Sequence, residues 1–211
     1  MLDSISINAH SSIRIASGKV LYFDPFHIAA ESHDADVIFV THDHYDHFSP
    51  EDIAKIIKED TVFVAPKSTS ALIRETFSGF DVTEVAPGDT FSVAGIEGEA
   101  VASYNPAKHF HPKKENWVGY VVEVDGLRHY ICGDMDETPE SLNVKCDVLL
   151  PPVGGTYTMD VPQAVELTGK LSPKYAIPTH YGDIVGKASD GSAFADEIKK
   201  KGISTQVVLK I

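Results

Sequence analysis

The sequence contains only two cysteines, Cys132 and Cys146, in 211 residues. Two thiols are too few for a disulfide framework, which excludes the class of small secreted domains held together by disulfides. Long apolar runs are also lacking, since no stretch approaches the roughly 20 residues that a membrane-spanning helix needs. Residues 1–5 show neither the basic nor the apolar segment of a signal peptide. These absences together predict a cytoplasmic protein.

Basic residues are scarce relative to acidic ones. The chain has 18 lysines and arginines against 31 aspartates and glutamates, a formal net charge of −13. This excess argues against a nucleic-acid or anionic-membrane partner, because such surfaces are bound by basic ones. It leaves room for a small, possibly anionic substrate, because bound divalent cations would reverse the local charge. The composition is otherwise ordinary for a globular protein, and the length predicts one domain over residues 1–211.

One short stretch is rich in metal-binding side chains. Segment 41–47 holds three histidines and two aspartates. It follows an apolar, mostly β-branched run at 37–40 that predicts a buried strand. It precedes Ser49-Pro50, a pair typical of a helix start. The segment should therefore lie on a loop at the carboxyl end of a strand, where α/β proteins place ligand sites.

The spacing of these side chains fits a metal site. His42 and His44 lie two residues apart and can project to the same side of an extended segment, where they would share one ion. Asp46 and His47 follow after a turn and could serve a second ion nearby. Imidazole nitrogen and carboxylate oxygen are ligands that zinc accepts, usually four per ion. The alternative is a polar loop that is rich in histidine by chance, which is disfavoured because such close imidazoles gain no core burial.

The pattern His-x-His-x-Asp-His after an apolar strand resembles the signature of metallo-β-lactamase-fold hydrolases. Further segments resemble the same family in the same order, and in particular its short ascorbate-phosphate-lactonase-like (UlaG-like) branch. They are Pro87-Gly88-Asp89, Phe110-His111-Pro112-Lys113, Gly133-Asp134, residues 154–159 (GGTYTM) and His180. The chain departs from the family where Met135 replaces the threonine that usually follows Gly-Asp. The resemblance implies an α/β (α+β) fold, a four-layered αββα sandwich with metals at the shared edge of its sheets.

The resemblance also implies a role for each candidate ligand. One metal ion would be held by His42, His44 and His111, a second by Asp46, His47 and His180, and Asp134 would bridge them. The ions, zinc in the first instance and Mn²⁺ or Fe²⁺ as alternatives, would lower the pKa of a shared water towards about 7. The resulting hydroxide would attack a carbonyl or phosphoryl centre. Asp46 and His180 are the expected catalytic residues, and Asp46 could also accept the proton of the water.

Several residues have open roles. His109 is the alternative third ligand of the first ion, although the Phe-His-Pro-Lys pattern favours His111. His10, in a segment that resembles Gly-His-Ser-Ser without its glycine, is either site-lining or a solvated loop residue. Cys132 is either a weak extra ligand or a small packed residue. For Asp24, at a strand end, the resemblance implies that it orients a ligand histidine by a hydrogen bond.

Apolar periodicity, turns and helix caps predict the remaining elements. Strands are expected near 2–7, 13–16, 20–23, 61–65, 82–85, 90–94, 97–102, 117–124, 127–131, 147–150, 175–179 and 204–209. Helices are expected from about 50 to 58, 68 to 77, 160 to 171 and 190 to 200, with Ser49 and Asp160 as N-caps of the first and the third.

The expected function is metal-dependent hydrolysis of a small ester, lactone or phosphoester. The fold hosts many chemistries, so it does not choose the bond. A phosphodiesterase on small substrates is the enzymatic alternative. The other classes are a metal-binding protein without catalysis and a di-iron redox module, which would carry glutamate in place of His44 and need a flavin domain. Lys113, Lys114 and Lys187 either meet an anionic substrate or are exposed surface lysines. The oligomeric state is left open.

Overall fold

The computed structural model describes residues 2–210, which fold into strands and helices packed in layers. The strands are β1 Ile5–Ile7, β2 Ile13–Ser17, β3 Lys19–Phe23, β4 Val37–Phe39, β5 Val62–Pro66, β6 Asp81–Val85, β7 Thr90–Val93, β8 Ile96–Ala102, β9 Val118–Val124, β10 Leu127–Ile131, β11 Val148–Leu150, β12 Tyr175–Ala176 and β13 Gln206–Val207. The α-helices are α1 Pro50–Ala54, α2 Lys67–Thr76, α3 Val161–Leu171 and α4 Asp190–Lys200, and 3-10 turns cover Leu2–Ser4, Lys113–Glu115 and Ser141–Asn143.

The strands form two sheets, each with a parallel part. The first sheet has the order β1-β2-β3-β4-β5-β6, and the second has the order β13-β12-β11-β10-β9-β8-β7. Strands β3 to β6 run parallel in the first sheet, and β10 to β13 do so in the second. Because the carboxyl ends of parallel strands meet at one edge of a sheet, the loops that follow them gather there.

Three apolar clusters separate four layers. In β4, Val37 and Phe39 belong to the cluster between the two sheets, whereas Ile38 packs with residues of α1 and α2 on the outer face. In β10, Ile131 lies between the sheets and Tyr130 packs with residues of α3 and α4. The two-residue period of a strand produces this division, and both faces of these strands are buried as in other parallel sheets. The expected αββα sandwich is confirmed.

The helix after the histidine-rich loop is shorter than the sequence predicts, ending at Ala54 rather than near Lys58. The carbonyl of Lys55 accepts the N–H groups of Ser32 and His33, and the carbonyl of Ile56 accepts that of Ala35. The neighbouring loop thus takes acceptors that a continuing helix would use for itself. The predicted strand at 175–179 is also recorded only over Tyr175–Ala176, although backbone hydrogen bonds to β11 continue through Thr179.

The predicted helix caps are present. The hydroxyl of Ser49 accepts the N–H of Asp52 at the start of α1. At the start of α3, Asp160 and Gln163 form a reciprocal capping box with distances of 3.0 Å in both directions. In the part of the chain that the structure covers, no helix is both long and apolar enough to cross a membrane.

Candidate metal centre

Loops from both sheets converge at one shared edge and bring together every predicted metal ligand. Loop 41–49 follows β4 in the first sheet. From the second sheet come the loop after β8, the Gly133-Asp134 pair after β10 and the segment after β12. Three overlapping groups of ligand atoms, each within 4.8 Å of one another, occupy this edge. They are His42–His44–His111, His42–His47–Asp134 and His10–Asp46–His47–His180.

The first group, His42, His44 and His111, lies against an indole. The ring of Trp117 is 5.0, 4.9 and 5.7 Å from the three imidazoles, measured between ring centroids. Nε2 of His42 is 3.1 Å from Nδ1 of His44. His111 is buried, and its Nδ1 lies 2.8 Å from the amide oxygen of Asn105, which leaves Nε2 directed at the cluster. His109 is exposed and belongs to none of the three groups, so the structure brings His111 to the site and not His109.

Asp24 and Thr41 orient two of the imidazoles. The carboxylate of Asp24 accepts the N–H and the hydroxyl of Thr41, both at 2.7 Å, and Nδ1 of His47 lies 2.7 Å from it. Because the hydroxyl of Thr41 donates to Asp24, it can accept from Nδ1 of His42 at 2.9 Å. Both imidazoles are therefore held at Nδ1 and keep Nε2 for the site, as expected for hydrogen-bonded metal ligands.

The group of four contains His10 together with Asp46, His47 and His180. His10 is fully buried, so it is not a solvated loop residue. Its Nε2 lies 3.2 Å from Asp46, and its ring centroid lies 3.7 Å from that of His180, with the two planes tilted at 41°. Its carbonyl accepts the N–H of His180 at 2.9 Å. Of the residues in the three groups, His10 had the least certain role on the sequence alone, because only the His-Ser-Ser resemblance indicated it.

Asp134 lies between the groups. One carboxylate oxygen is 3.3 Å from Nε2 of His47, and the other is 3.3 Å from His111 and 2.9 Å from His180. Burial acts to raise the pKa of this carboxyl, but the surrounding imidazoles outweigh it and hold the pKa well below its usual range. Gly133 makes the approach possible, because its φ is +65° and a Cβ there would lie 3.2 Å from Ser103 and Thr41.

The electrostatics favour the ligand forms of His42, His44 and Asp46. His47 is different: burial acts to lower its pKa, but the carboxylates of Asp134 and Asp24 outweigh burial and raise the pKa well above its usual value. Burial lowers the pKa of His42 well below its usual value, and the adjacent imidazoles lower it further, so its ring is neutral at neutral pH. The pKa of His44 is also lowered, by burial and by the adjacent imidazoles. Burial acts to raise the pKa of Asp46, but the nearby imidazole of His10 and the charge of His47 bring it below its usual value. Neutral imidazole and ionised carboxylate are the forms that bind a metal ion.

The buried polar atoms at the centre test whether metal ions fit. Seven buried nitrogen and oxygen atoms here have no hydrogen-bond partner, on His10, His47, His111, Asp134 and His180. Elsewhere in the described residues only Thr69 and Asn105 carry such an atom. Burying a polar group without a partner costs free energy. Several such groups in one place therefore indicate a bound ligand that would satisfy them. The donor set of imidazole and carboxylate fits divalent zinc, manganese or iron.

Three of the nine non-glycine residues with positive φ in residues 2–210 lie at the same edge. Asp24, His10 and His180 all have positive φ, at 46°, 52° and 59°. Left-handed backbone is disfavoured for residues other than glycine and is retained where surrounding contacts impose it, often at functional sites. Cys132, by contrast, is fully buried in the apolar cluster under α3 and α4 and belongs to none of the three groups, so it is a packed residue.

A cavity of about 270 Å³ opens onto the three groups of candidate ligands. It is lined by His44, Tyr45, Asp46, Phe110, His111, Asp134, Tyr157 and Ile184. A second cavity of about 370 Å³ is bordered by Trp117 and Lys113 but by none of the cluster residues, so it is not the site of their chemistry. Lys114 and Lys187 are exposed and line neither cavity.

Comparison with known proteins covers the whole site. The family model described as the beta-lactamase superfamily domain matches residues 4–180, which contain every cluster member. The UPF0173 metal-dependent hydrolase of Thermoplasma volcanium is 31% identical over 187 residues, 82% of this chain and 81% of that protein. A crystal structure from Parabacteroides distasonis is 29% identical with a TM-score of 0.81, over 98% of this chain and 91% of that chain. CmlA, a diiron β-hydroxylase from Streptomyces venezuelae, shares the fold at 14% identity with a TM-score of 0.74, over 98% of this chain and 52% of CmlA.

Proposed function

The chain is a metal-dependent hydrolase that belongs to the β-lactamase superfamily, and we propose that it cleaves a small ester, lactone or phosphoester at a dinuclear metal site. The observation that carries this proposal is the concentration of unpartnered, buried ligand atoms beside an open cavity, which two of their residues, His111 and Asp134, line. A purely structural cluster would be expected to pair its own polar groups.

Two ligand sets follow from the three groups. His42, His44 and His111 would hold one ion; Asp46, His47 and His180 would hold the other; and Asp134 would lie between them. Bound Zn²⁺, or alternatively Mn²⁺ or Fe²⁺, would supply a Lewis acid that lowers the pKa of water and polarises the reacting group. His10 would stand beside the second set through its contact with Asp46.

The residues of the chain position this chemistry and move its proton. Asp46 lines the cavity, and its carboxylate would accept a proton from an attacking water. His180 is held from behind by its backbone hydrogen bond to His10 and from the front by its contact with Asp134. This arrangement would keep His180, the second expected catalytic residue, in one orientation during the reaction. In lactone hydrolysis, water oxygen bonds to the carbonyl carbon, the ring C–O bond breaks, and the departing oxygen takes a proton.

The first test is metal content. Elemental analysis of protein purified without added metal should find about two zinc or manganese ions per chain, as a dinuclear site requires. The same preparation should turn over one class in a panel of lactones and phosphodiesters. We expect His44→Ala to lose metal and activity together, because it removes one of only three ligands in its set. His109→Ala is the matched control, since it removes an exposed histidine close to the site.

Other outcomes would redirect the assignment. Two irons without hydrolysis would favour the di-iron redox class. CmlA shows that a protein with this fold can be a diiron enzyme, but its likeness to this chain extends to the fold alone. Metal without turnover of any substrate would favour a non-catalytic metal-binding protein. Absence of tightly bound metal would contradict the site itself.

A further inference from the structure

The cavity above the metal centre has an unusually apolar edge. Four side chains from four different loops stand there: Tyr45, Phe110, Tyr157 and Ile184, here called the apolar rim. Tyr45, Phe110 and Ile184 are 68%, 46% and 36% exposed, and they make up half of the six large hydrophobic side chains that are exposed in residues 2–210. Such clustering at the mouth of a cavity marks a binding surface.

The rim is organised by ring contacts. Phe110 and Tyr157 meet edge to face, with ring centroids 4.7 Å apart and planes at 82°. Tyr45 stands edge-on to Phe26 at 6.2 Å. These are favourable aromatic geometries, and they hold the rings in place around the opening. The rim is therefore ready to contact the flat face of a ligand without a large rearrangement.

Cationic side chains near the cavity are directed elsewhere. No lysine or arginine is among the described residues that line it. Lys108, two residues before Phe110, ion-pairs with Asp136 at 2.6 Å and donates to the carbonyl of Thr158. Lys113 pairs with Glu140 at 2.7 Å at the other cavity. A phosphate or carboxylate held away from the metal ions would lack the charged donors that usually bind such groups.

We propose that the apolar rim selects a neutral ester or lactone that carries an apolar, preferably aromatic, substituent beside the bond that is cut. This inference rests on the proposed function and narrows its substrate class. The reacting carbonyl would lie at the clusters on the floor, and the substituent would lie against Phe110 and Tyr157. A small molecule is the occupant that fits, because the rim encloses a concave space of about 270 Å³ whose floor holds the reactive groups.

Three γ-butyrolactones test the proposal with the same reacting bond. They carry hydrogen, phenyl or carboxylate at the γ-carbon, and they are compared by kcat/KM on the metal-loaded enzyme. We expect the phenyl compound to exceed the unsubstituted one by at least about tenfold, which burial of an aromatic ring in an apolar site supplies. The carboxylate compound should fall below the phenyl compound. Equal rates for all three, or preference for the carboxylate, would overturn the proposal.

Variants locate the effect. Phe110→Ala should lower kcat/KM for the phenyl lactone about tenfold more than it lowers kcat/KM for the unsubstituted lactone, chiefly through KM. Phe110→Leu should restore part of the loss. Leu72→Ala is the matched control, because Leu72 is a 38% exposed hydrophobic residue on α2 that does not line the cavity. An equal loss for all three lactones in Phe110→Ala would indicate a structural defect and contradict a role in selectivity.

A binding measurement separates this proposal from the proposed function. By calorimetry, 3-phenylcyclopentanone, which is not hydrolysed, should bind wild-type protein and bind Phe110→Ala several-fold more weakly. Turnover of a phosphodiester but of no lactone would leave the hydrolase intact and overturn the substrate class. Binding of the ketone without turnover of any ester would support the apolar rim as a binding surface and contradict hydrolysis as the function. If sedimentation shows a dimer that Phe110→Ala dissociates, the rim is an interface between copies and the proposal fails.

Discussion

Trp117 is the only tryptophan of the chain, and its indole packs on the imidazoles of His42, His44 and His111. Its Nε1–H donates to the hydroxyl of Ser68 at 3.4 Å, so the ring is fixed from the α2 side. The indole is therefore placed both to hold the three proposed ligands and to report on them. No other fluorophore of this kind would dilute the signal.

This placement gives a prediction for metal binding. Titration of metal-free protein with Zn²⁺ should change the tryptophan emission and saturate, because the rings that contact the indole change their charge environment. His111→Ala should abolish the high-affinity phase, whereas His109→Ala should preserve it. If His109→Ala lost the phase and His111→Ala kept it, the third ligand of the first ion would have to be reassigned.

His10 shows how a residue joins a site that its local sequence does not define. It lies between β1 and β2, more than thirty positions before the histidine-rich loop. Its approach to Asp46 depends on the position of the first sheet's edge strand and on the hydrogen bond that His180 donates to its carbonyl. Neither contact can be predicted from the spacing of nearby residues, so the sequence left His10 as either a site-lining or a solvated loop residue.

At the scale of elements, the start of α3 connects a cap to the cavity. The capping box of Asp160 and Gln163 begins the helix directly after loop 154–159, which carries Tyr157 of the apolar rim. Gly154 in the same loop has no room for a side chain, because a Cβ there would collide with the carbonyl of His180. The loop is therefore defined by a cap at one end and by close backbone packing at the other.

We expect Asp160→Ala to lower the free energy of unfolding by about 1 kcal/mol, because the cap hydrogen bond to Gln163 is lost. Urea unfolding followed by circular dichroism measures the change. Asp160→Asn is the control, since asparagine caps about as well as aspartate without the charge. An equal loss in the asparagine variant would show that the charge at the helix N-terminus, and not the hydrogen bond, stabilises α3.

At the scale of the whole molecule, the three apolar clusters hold the four layers together, and both thiols lie at the outer layer of the second sheet. Cys132 is buried in the cluster with α3 and α4, and Cys146 packs against it. Burial raises the pKa of Cys146 to about 12 and that of Cys132 well above its usual value. Both thiols therefore stay protonated, and unreactive, in the folded protein.

Thiol labelling should consequently report opening of this layer. At about pH 8, iodoacetamide should label neither thiol of native protein on the time scale on which it labels both in concentrated guanidinium. Because the unfolded thiols ionise near 8.5 and Cys146 in the fold near 12, the fold should lose stability as pH rises above about 8.5. Rapid labelling of Cys146 in the native protein would contradict the packing of its half-buried side chain against this cluster.

The fold class and the spacing of the ligands were both within reach of the sequence. The continuous apolar run that contains Val37, Ile38 and Phe39 predicts a buried strand, and the observed clusters on both of its faces confirm it. The caps at Ser49 and Asp160 are local hydrogen bonds between residues three apart, so they too were predictable. That residues 1–211 form one domain stays a prediction.

Where the sequence failed, the cause lies in contacts between distant segments. The end of α1 is set by backbone groups of residues 32–35, which take the carbonyls of Lys55 and Ile56. The position of His111, and not His109, in the cluster follows from the amide of Asn105 and the packing of Trp117. The motif 42–47 is determined by sequence because its candidate ligands lie within one short segment of the chain. The inclusion of His10, the central position of Asp134 and the apolar rim were decided only by the tertiary structure, because two sheets must first meet at one edge.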